Sequence, residues 1–505
     1  MAPHIAGDCR ISTKEDAKNW YLVLLVLLLL GISLIRIYNL ATNAIDLSGD
    51  EAHYWEWSRR LDLCYYSKPP GVAYLIRLGT SVLGDTVLGV RICAIIFSFL
   101  SSLLLFKIGT QLYDKDVGFV CAILFQVVPI FAAYGVGMTP DSPLIFFWIL
   151  SLLLFHKALA TSSPSTWLLL SVSLGLGLLS KYAIIFFYPP AFVLLGLFKE
   201  NRKHLHTPWP YIAFLSSLLF FLPVIIWNMK HNWVMFRHDI GHTKLTQGFT
   251  ISFDSFANFV GSQVGVITPI LLVLIVYAVI KQRKQDPFCF WFCIPILIGF
   301  LLKSLQGKVQ ANWSLMAYIT GLISFSAFLV HNYTKFGRFM KTIIIVGLII
   351  PLVGTIFLHC PQLVHQLDFP PDKNPLKKLL GWKELGREIT KLSVEIEKPY
   401  FIFSDHYMTA SELAFYVEGH PTTYCANLGR RMNQYDIWPG FNNLIHYNAI
   451  YVTKRKMSPK LAQAFERYEK KPVVLYDERG RVITEFAAFL CYDFQGMDAE
   501  KPASF

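Results

Sequence analysis

The sequence predicts an all-α polytopic membrane protein that carries a soluble α/β domain at its C-terminus. Of its 505 residues, 54% are hydrophobic and only 16% are charged, whereas soluble globular chains carry about 25% charged residues. Long apolar runs recur as far as residue 358. Beyond residue 360 they give way to short alternating elements, which are typical of a small α/β domain. We therefore divide the chain into a membrane domain, residues 1–359, and a soluble domain, residues 360–505.

Apolar runs of about 20 residues are long enough to cross a bilayer as helices. The sequence predicts eleven spans when the run interrupted by Lys181 is counted as two. A lone lysine at mid-bilayer costs roughly 2.5–3.5 kcal/mol, so we place Lys181 at a membrane face between two helices. The predicted limits are 20–40, 87–106, 117–135, 141–159, 166–180, 182–198, 210–227, 256–280, 288–303, 312–330 and 340–358.

Basic loops suggest how these spans are oriented. With a cytoplasmic N-terminus, three basic loops fall on the cytoplasmic side, as the positive-inside rule requires: 199–206, 281–284 and 331–341. The loop 228–254 on the opposite side is also basic, so the charges support this orientation without deciding it. The soluble domain then lies across the membrane from the cytoplasm. No single basic tract dominates the +12 net charge, which argues against nucleic acid and suits contact with membrane lipids.

The stretch 46–70, between the first two spans, holds the strongest functional signal. Ser48 and Glu51 have the spacing of a capping box, so a helix is predicted to begin near Gly49. Four side chains then share one helix face: Asp50, His53, Tyr54 and Trp57. Such a helix, followed by another near 71–83, would lie on the membrane surface. An interfacial anchor explains the aromatic residues but not the adjacent acids, so we favour a catalytic carboxylate.

Unusual polar residues from distant segments fall on this same membrane face. They are Asp50, Glu51, Lys68, Asp141, Lys181, Lys308, Asn312 and Trp313. Ordinary explanations exist, since Asp141 suits a helix N-terminus and Lys68 a membrane rim. Acids and bases gathered at one face under a soluble domain nevertheless indicate a site. His231 and His238 lie in the same region without the spacing of metal ligands.

The nine cysteines are scattered and form no metal-binding pattern. Cys289 and Cys293 lie in an apolar run and are expected to be small buried residues. Cys360, Cys425 and Cys491 fall in the soluble domain, where one disulfide would be compatible with the sequence but its pairing is not predicted.

Four motifs together carry a family resemblance. They are Asp-Glu-Ala-x-Tyr at 50–54, Lys-Pro-Pro-Gly at 68–71, Thr-Pro-Asp at 139–141 and Leu-Leu-Ser-Lys-Tyr at 178–182. This ordered set resembles polytopic glycosyltransferases of the GT-C fold, and in particular the bacterial branch of the dolichyl-phosphate-mannose–protein mannosyltransferase superfamily. That branch includes the lipid A aminoarabinose transferase. The resemblance implies transfer of a sugar from a polyprenyl-phosphate carrier to an acceptor hydroxyl on the periplasmic side of the bacterial inner membrane.

The resemblance also implies roles for residues. Asp50 matches the catalytic acid and Asp141 a second acid, while the expected donor- or phosphate-binding residues are Glu51, His53, Tyr54, Lys68, Lys181, Lys308, Asn312 and Trp313. His53 stands where the aminoarabinose transferase has arginine, and would contact phosphate more weakly. Ser67 replaces a glutamate of that enzyme, which puts a metal site in doubt. We expect no required cofactor; a divalent metal stays open without support from the sequence.

The resemblance thus implies a glycosyltransferase, hexosyl or pentosyl, whose acceptor is a glycolipid such as lipid A or the lipopolysaccharide core. A protein O-mannosyltransferase-like enzyme is an alternative acceptor class. A lipid or sugar flippase would instead require charges near mid-membrane and repeat symmetry, neither of which the sequence displays. A membrane-anchored binding protein ranks last, because the soluble domain carries no recognisable site motif.

Overall fold

A computed structural model describes residues 9–42, 44–243, 251–367, 369–477, 479–497 and 502. A helical membrane domain comes first and a small α/β domain follows. The helices of the first part are α1 (Cys9–Ala41), α2 (Gly49–Ser58), α3 (Gly71–Leu83), α4 (Val87–Leu112), α5 (Lys115–Val127), α6 (Pro129–Tyr134), α7 (Asp141–Thr161), α8 (Pro164–Ser180), α9 (Tyr188–Leu197), α10 (Arg202–Leu205), α11 (Trp209–Leu219), α12 (Leu222–Lys230), α13 (Val234–Thr243), α14 (Phe253–Ile267), α15 (Pro269–Gln282), α16 (Pro287–Ser304), α17 (Leu315–Asn332), α18 (Arg338–His359) and α19 (Pro361–Gln366).

Among the described residues, seven helical segments are long and apolar enough to cross a membrane. They are Trp20–Ala41, Val87–Leu112, Asp141–Thr161, Trp209–Lys230, Pro287–Ser304, Ala311–Lys335 and Arg338–His359. The bent pair α14–α15 would make an eighth, and α8 and Tyr182–Leu197 are apolar but shorter. The predicted fold class is therefore confirmed, and the chain is a multi-pass membrane protein.

Two of the predicted spans are not straight helices. The segment predicted at 256–280 bends by 95° between α14 and α15. Thr268 has a φ of 75° at the bend, and Pro269 starts α15 because it has no backbone N–H to donate to the preceding turn. Similarly, the segment predicted at 117–135 is divided at Pro129 into α5 and α6. Apolar composition alone predicts one continuous helix in each segment, but proline and a residue with positive φ interrupt the helix.

The break predicted at Lys181 is present. α8 ends at Ser180, and Lys181 has extended backbone, with φ −159° and ψ 126°. A 3₁₀ turn over Tyr182–Phe187 then leads into α9. The lysine therefore emerges between two helices rather than from the middle of one.

The two ends of the helical bundle differ in character. We call the end covered by the α/β domain the cap end, and the other the far end. At the far end, His331 contacts Asp114 at 2.6 Å and Tyr113 donates to Asp286. These contacts join the connections around 113–116, 283–286 and 331–337. The loop 199–206 lies there too, because His204 contacts the carbonyl of Leu159 near the C-terminus of α7, so all three basic loops lie away from the α/β domain.

The α/β domain contains a five-stranded mixed sheet with strand order β2-β1-β3-β5-β4. Its strands are β1 (Tyr400–Ser404), β2 (Thr423–Cys425), β3 (Asn448–Thr453), β4 (Phe465–Tyr476) and β5 (Val482–Phe494). Its helices are α20 (Trp382–Glu395), α21 (Tyr407–Tyr416) and α22 (Pro459–Gln463). β1 pairs in parallel with β2 and β3, whereas β5 runs antiparallel to β3 and β4. Cys360, Cys425 and Cys491 are free thiols, so the described residues form no disulfide there.

The pattern of residues 458–470 predicts a helix, but only Pro459–Gln463 is helical. From Phe465 onwards the segment belongs to β4, an edge strand paired along its length with β5. Its exposed positions are charged, among them Glu466, Arg467, Glu469 and Lys470. Charged side chains are a common protection for a sheet edge, and they produced a helix-like pattern in the sequence.

α2 was expected to lie on the membrane surface, and the structure shows that it is largely enclosed by protein. Most of α2 is buried, with Trp55 and Trp57 at most 1% exposed, because α21 of the α/β domain packs against it. The rings of Trp55 and Phe415 lie 4.9 Å apart. A Cβ added to Gly49 would lie 2.5 Å from the side chain of Met408, so the two helices approach closely there. α2 is thus held between the bundle and the α/β domain.

Candidate functional site

The N-terminus of α2 is fixed by Glu51. Its carboxylate accepts two hydrogen bonds from Arg91 in α4, at 2.8 and 2.7 Å, and one from the backbone N–H of Met138. It also accepts from the backbone of Ser48 and completes the predicted capping box. Arg91 donates further to the carbonyl of Asp46. Burial favours protonation of Glu51, but Arg91 outweighs this and holds the pKa below its ordinary value.

Asp50, which directly precedes Glu51, is accessible to solvent and faces the α/β domain. The hydroxyl of Tyr407, at the start of α21, donates to its carboxylate at 3.0 Å. Surrounding protein raises the pKa of Asp50 by desolvation, while Tyr407 and Lys68 act in the opposite direction. A carboxylate with a raised pKa is better matched to proton transfer near neutral pH than an ordinary aspartate.

Asp141 forms the second charged group at the cap end. It begins α7 and is 5% exposed. Lys181 donates to one carboxylate oxygen at 2.7 Å, and Asn312 donates to the other at 2.9 Å. Three segments far apart in sequence therefore meet here, and the charge of Lys181 is balanced by Asp141.

Lys68 lies between the two acids. It is half-buried, and the charges that act on it most strongly are those of Lys181, Asp239, Asp141 and Asp50. Burial and the neighbouring Lys181 lower the pKa of Lys68. Within the described residues no carboxylate pairs directly with its ammonium group. Lys68 is thus available for an anionic ligand.

The turn that carries Lys68 is tied to α2. The backbone N–H of Tyr65 donates to the carbonyl of Lys68 at 3.1 Å, and the ring of Tyr65 stacks on Trp57 at 4.5 Å. Tyr54 lies on the same side, within electrostatic range of both Asp50 and Asp141. The structure thus brings together Asp50, Tyr54, Lys68, Asp141, Lys181 and Asn312.

Three residues expected at the site lie elsewhere or have another role. His53 is 5% exposed and packs among aromatic rings, with Ser411 at 2.9 Å from its Nδ1. Desolvation lowers the pKa of His53 to about 3, so it is neutral and packs α2 against α21 rather than contacting phosphate. Glu51 is occupied by Arg91 and the capping box. Lys308 is exposed and does not line the groove described below.

Three other residues at the site were not predicted. Asp239 in α13 lies within electrostatic range of both Tyr182 and Lys68. Tyr407 and Arg431 come from the α/β domain. Tyr407 belongs to the Asp-His-Tyr sequence at 405–407, which carried no decisive signal because Asp-His pairs are common.

An apolar groove of about 540 Å³ leads away from this charged cluster. Its polar end is formed by Lys181, Lys303 and Trp313. The rest is lined by apolar side chains of the Tyr182–Phe187 turn, α9 and α16, such as Phe186, Val193, Trp291, Ile296 and Phe300, together with Gly299. An apolar channel with cations at its mouth fits a lipid that carries an anionic head group.

The described residues contain no group of three or more His, Cys, Asp or Glu side chains arranged to hold a metal ion. The expectation that no cofactor is required stays a prediction. Here the cations that could meet an anionic group are side chains, chiefly Lys68.

Comparisons with known proteins agree with this arrangement. A family model described as dolichyl-phosphate-mannose-protein mannosyltransferase matches residues 67–227, which include Lys68, Asp141 and Lys181. The chain is 29% identical over 394 residues to lipid A galacturonosyltransferase RgtD of Rhizobium johnstonii, covering 76% of this chain and 81% of that one. It is 29% identical over 192 residues to an undecaprenyl phosphate-alpha-4-amino-4-deoxy-L-arabinose arabinosyl transferase of Pseudomonas aeruginosa, covering 37% and 34% of the two chains.

Solved structures show the same fold. The apo crystal structure of ArnT from Cupriavidus metallidurans matches with a TM-score of 0.62 and 12% sequence identity, covering 94% of this chain and 98% of that one. A second structure of that protein, bound to undecaprenyl phosphate, matches with a TM-score of 0.62 and 13% identity, covering 93% and 98%.

Proposed function

We propose that this chain transfers a sugar from a polyprenyl-phosphate donor to a hydroxyl of lipid A or a related glycolipid. It would do so as a polytopic glycosyltransferase of the GT-C fold, in the bacterial branch of the dolichyl-phosphate-mannose–protein mannosyltransferase superfamily. The relative that aligns over most of its length is named for galacturonosyl transfer, so we propose a hexuronosyl group as the sugar. The shorter alignment to an arabinosyl transferase makes a pentosyl group the second candidate.

One observation carries the proposal: the apolar groove opens next to the charged cluster. A polyprenyl-phosphate sugar has an apolar chain joined to an anionic phosphate. The groove suits the chain, while Lys68, Lys181 and Lys303 suit the phosphate. Asp50 then lies on the α/β-domain side of the phosphate, where the sugar and the acceptor would meet.

The reaction requires one bond to form and one to break. The acceptor hydroxyl oxygen attacks the anomeric carbon, its proton passes to Asp50, and the bond from that carbon to the phosphate oxygen breaks. Negative charge develops on the departing polyprenyl phosphate, and Lys68 is placed to stabilise it. Asp141 orients Lys181 beside the groove and has no separate proton-transfer role in this scheme. A single displacement inverts the anomeric configuration.

We propose that the protein resides in the bacterial inner membrane with its N-terminus in the cytoplasm and the α/β domain in the periplasm. The support is the position of the three basic loops at the far end, which the positive-inside rule places in the cytoplasm. The acceptor glycolipid would then approach from the periplasmic leaflet.

Mass spectrometry of lipid A from cells that lack this protein tests the proposal. We expect the mass to fall by one sugar residue, and to be restored by the wild-type protein but not by the Asp50→Asn variant. Unchanged lipid A, with altered glycosylation of envelope proteins instead, would contradict the glycolipid acceptor and favour a protein acceptor.

Filling the groove should weaken donor use selectively. A Cβ added at Gly299 meets no atom within 4 Å, so Gly299→Phe should fold normally and project its ring into the groove. Displacing about two methylene groups of the prenyl chain, each worth about 0.8 kcal/mol, corresponds to a rise in donor KM of about 15-fold. Steady-state kinetics in detergent or nanodiscs would measure it.

Gly31→Phe is the matched control. Gly31 in α1 also has no atom within 4 Å of an added Cβ and does not line the groove. We expect wild-type donor KM for this variant. A Gly299→Phe enzyme with wild-type donor KM would show that the prenyl chain binds elsewhere.

Removing the Tyr407 hydroxyl should shift the pH dependence of transfer. The hydroxyl stabilises the ionised form of Asp50 and thereby lowers its pKa. In Tyr407→Phe that pKa rises, so the acid limb of the kcat/KM profile should move to higher pH, by up to about one unit. Tyr74→Phe, whose hydroxyl bonds a backbone carbonyl at 2.9 Å, serves as the control and should leave the limb in place. If the acid limb of Tyr407→Phe is unchanged or moves to lower pH, the Tyr407 hydroxyl does not lower the pKa of the catalytic base.

A further inference from the structure

A loop of the α/β domain, residues 426–438, lies over the charged cluster. Arg430 holds the loop in shape by pairing with Asp436 at 2.7 Å and by donating to the carbonyls of Cys425 and Ala426. The side chain of Gln434 accepts from the backbone N–H of Tyr66 at 2.6 Å. The loop is thus fixed to the segment that carries Lys68.

Arg431, which follows Arg430 in the loop, projects towards the membrane domain. Its guanidinium contacts the ring of His238 in α13 and lies within electrostatic range of Tyr66. It is exposed and within electrostatic range of Tyr407, the residue that donates to Asp50. Both neighbours are uncharged in this setting, because desolvation lowers the pKa of His238 and raises that of Tyr66.

Among the described residues no carboxylate contacts Arg431 directly; Asp239 lies on the other side of the His238 ring, 3.3 Å from its Nδ1. Lys181 is balanced by Asp141 at 2.7 Å, and Arg91 by Glu51. In the described part of the chain, neither Lys68 nor Arg431 makes an ion pair with a carboxylate. Lys68, with Lys303 at the mouth of the groove, and Arg431 would together pair with a ligand that carries two anionic groups. The phosphate of the donor accounts for one of them and belongs at Lys68, beside the mouth of the groove.

We propose that Arg431 is a specificity-determining residue that binds a carboxylate on the transferred sugar, so that the α/β domain selects an acidic donor. The inference rests on the proposed function and assigns a residue to it. An arginine side chain suits this role because its planar fork binds both oxygens of a carboxylate. The same charge disfavours a donor sugar that carries an amine.

Two donors with the same polyprenyl phosphate but different sugars distinguish binding of a sugar carboxylate from a contribution of Arg431 that does not depend on the sugar. One carries a hexuronic acid, and the other carries the corresponding neutral hexose. The wild-type protein should prefer the acidic donor. In Arg431→Gln, kcat/KM for the acidic donor should fall by about 10- to 150-fold, the loss expected for a hydrogen-bonded charged contact. Its kcat/KM for the neutral donor should change less than threefold, and Arg431→Lys should recover part of the preference.

Arg455→Gln is the control within the same domain, because the Arg455 side chain is 80% exposed and lies 3.6 Å from Asp405. It should retain the wild-type preference. Equal losses for both donors in Arg431→Gln would overturn the inference and point to a contact with phosphate or to a damaged fold. A wild-type enzyme that uses both donors equally would overturn the inference while leaving the proposed function intact. Failure of the wild-type enzyme with every polyprenyl-phosphate donor would instead refute the proposed function.

Discussion

Replacing Asp50 with asparagine should lower kcat for sugar transfer by about 10²- to 10⁴-fold, the usual contribution of a general base. Asparagine keeps the size of the side chain and still accepts the Tyr407 hydrogen bond, so the fold and donor binding should persist. Asp50 does not line the apolar groove, and the dissociation constant for polyprenyl phosphate should therefore change little. Single-turnover kinetics and equilibrium lipid binding would separate the two effects.

The pH dependence gives this prediction a second readout. Desolvation raises the pKa of Asp50, so the wild-type rate should fall as the pH drops through that raised value, because the base becomes protonated. The residual rate of the asparagine variant should lack this limb. Asp254→Asn, an exposed acid in the first turn of α14, is the control and should behave as wild type. Wild-type turnover by Asp50→Asn would remove the assignment of the base.

Replacing Glu51 with glutamine should destabilise the protein by about 3–5 kcal/mol, because Arg91 would be left as a buried charge without a partner. Both side chains are at most 3% exposed. The loss should also displace the N-terminus of α2, and with it Asp50, so activity should fall as well. Thermal unfolding in detergent would report the first effect.

Two further variants make this a test of the ion pair itself. Glu51→Gln combined with Arg91→Met removes both charges and should be more stable than Glu51→Gln alone. Glu388→Gln, which breaks an exposed pair with Lys391 at 2.6 Å, should cost less than about 1 kcal/mol. Similar unfolding temperatures for Glu51→Gln and Glu388→Gln would contradict the account of how α2 is held.

Local signals predicted much of this molecule. The capping box located the N-terminus of α2, and the insertion cost of Lys181 located the break after α8. The apolar runs predicted most spans, and the short alternating elements beyond residue 360 predicted the α/β domain. Each of these depends on neighbours within a few residues, which is why sequence reasoning sufficed.

Other features depend on contacts that no local pattern encodes. Tyr407 reaches Asp50 across more than 350 positions of sequence, and its motif is common in unrelated proteins. Arg91 could have been suspected, because a charge near the start of a predicted span requires a partner, but nothing local identified Glu51. His53 shared a helix face with Asp50, yet the α/β domain covers that part of the face. The charges of β4 protect a sheet edge that exists only after β5 has paired with it.

Reconstituted transfer tests the central claim most directly, namely that the acids and cations at the cap end act together on a polyprenyl-phosphate sugar. Purified protein in liposomes would be supplied with a polyprenyl-phosphate hexuronic acid and lipid A, and both products followed over time. We expect free polyprenyl phosphate and glycosylated lipid A to appear in equal amounts, with the anomeric configuration inverted, and neither to form at an appreciable rate with Asp50→Asn. Release of polyprenyl phosphate without glycosylated lipid A, or retention of configuration, would contradict this account.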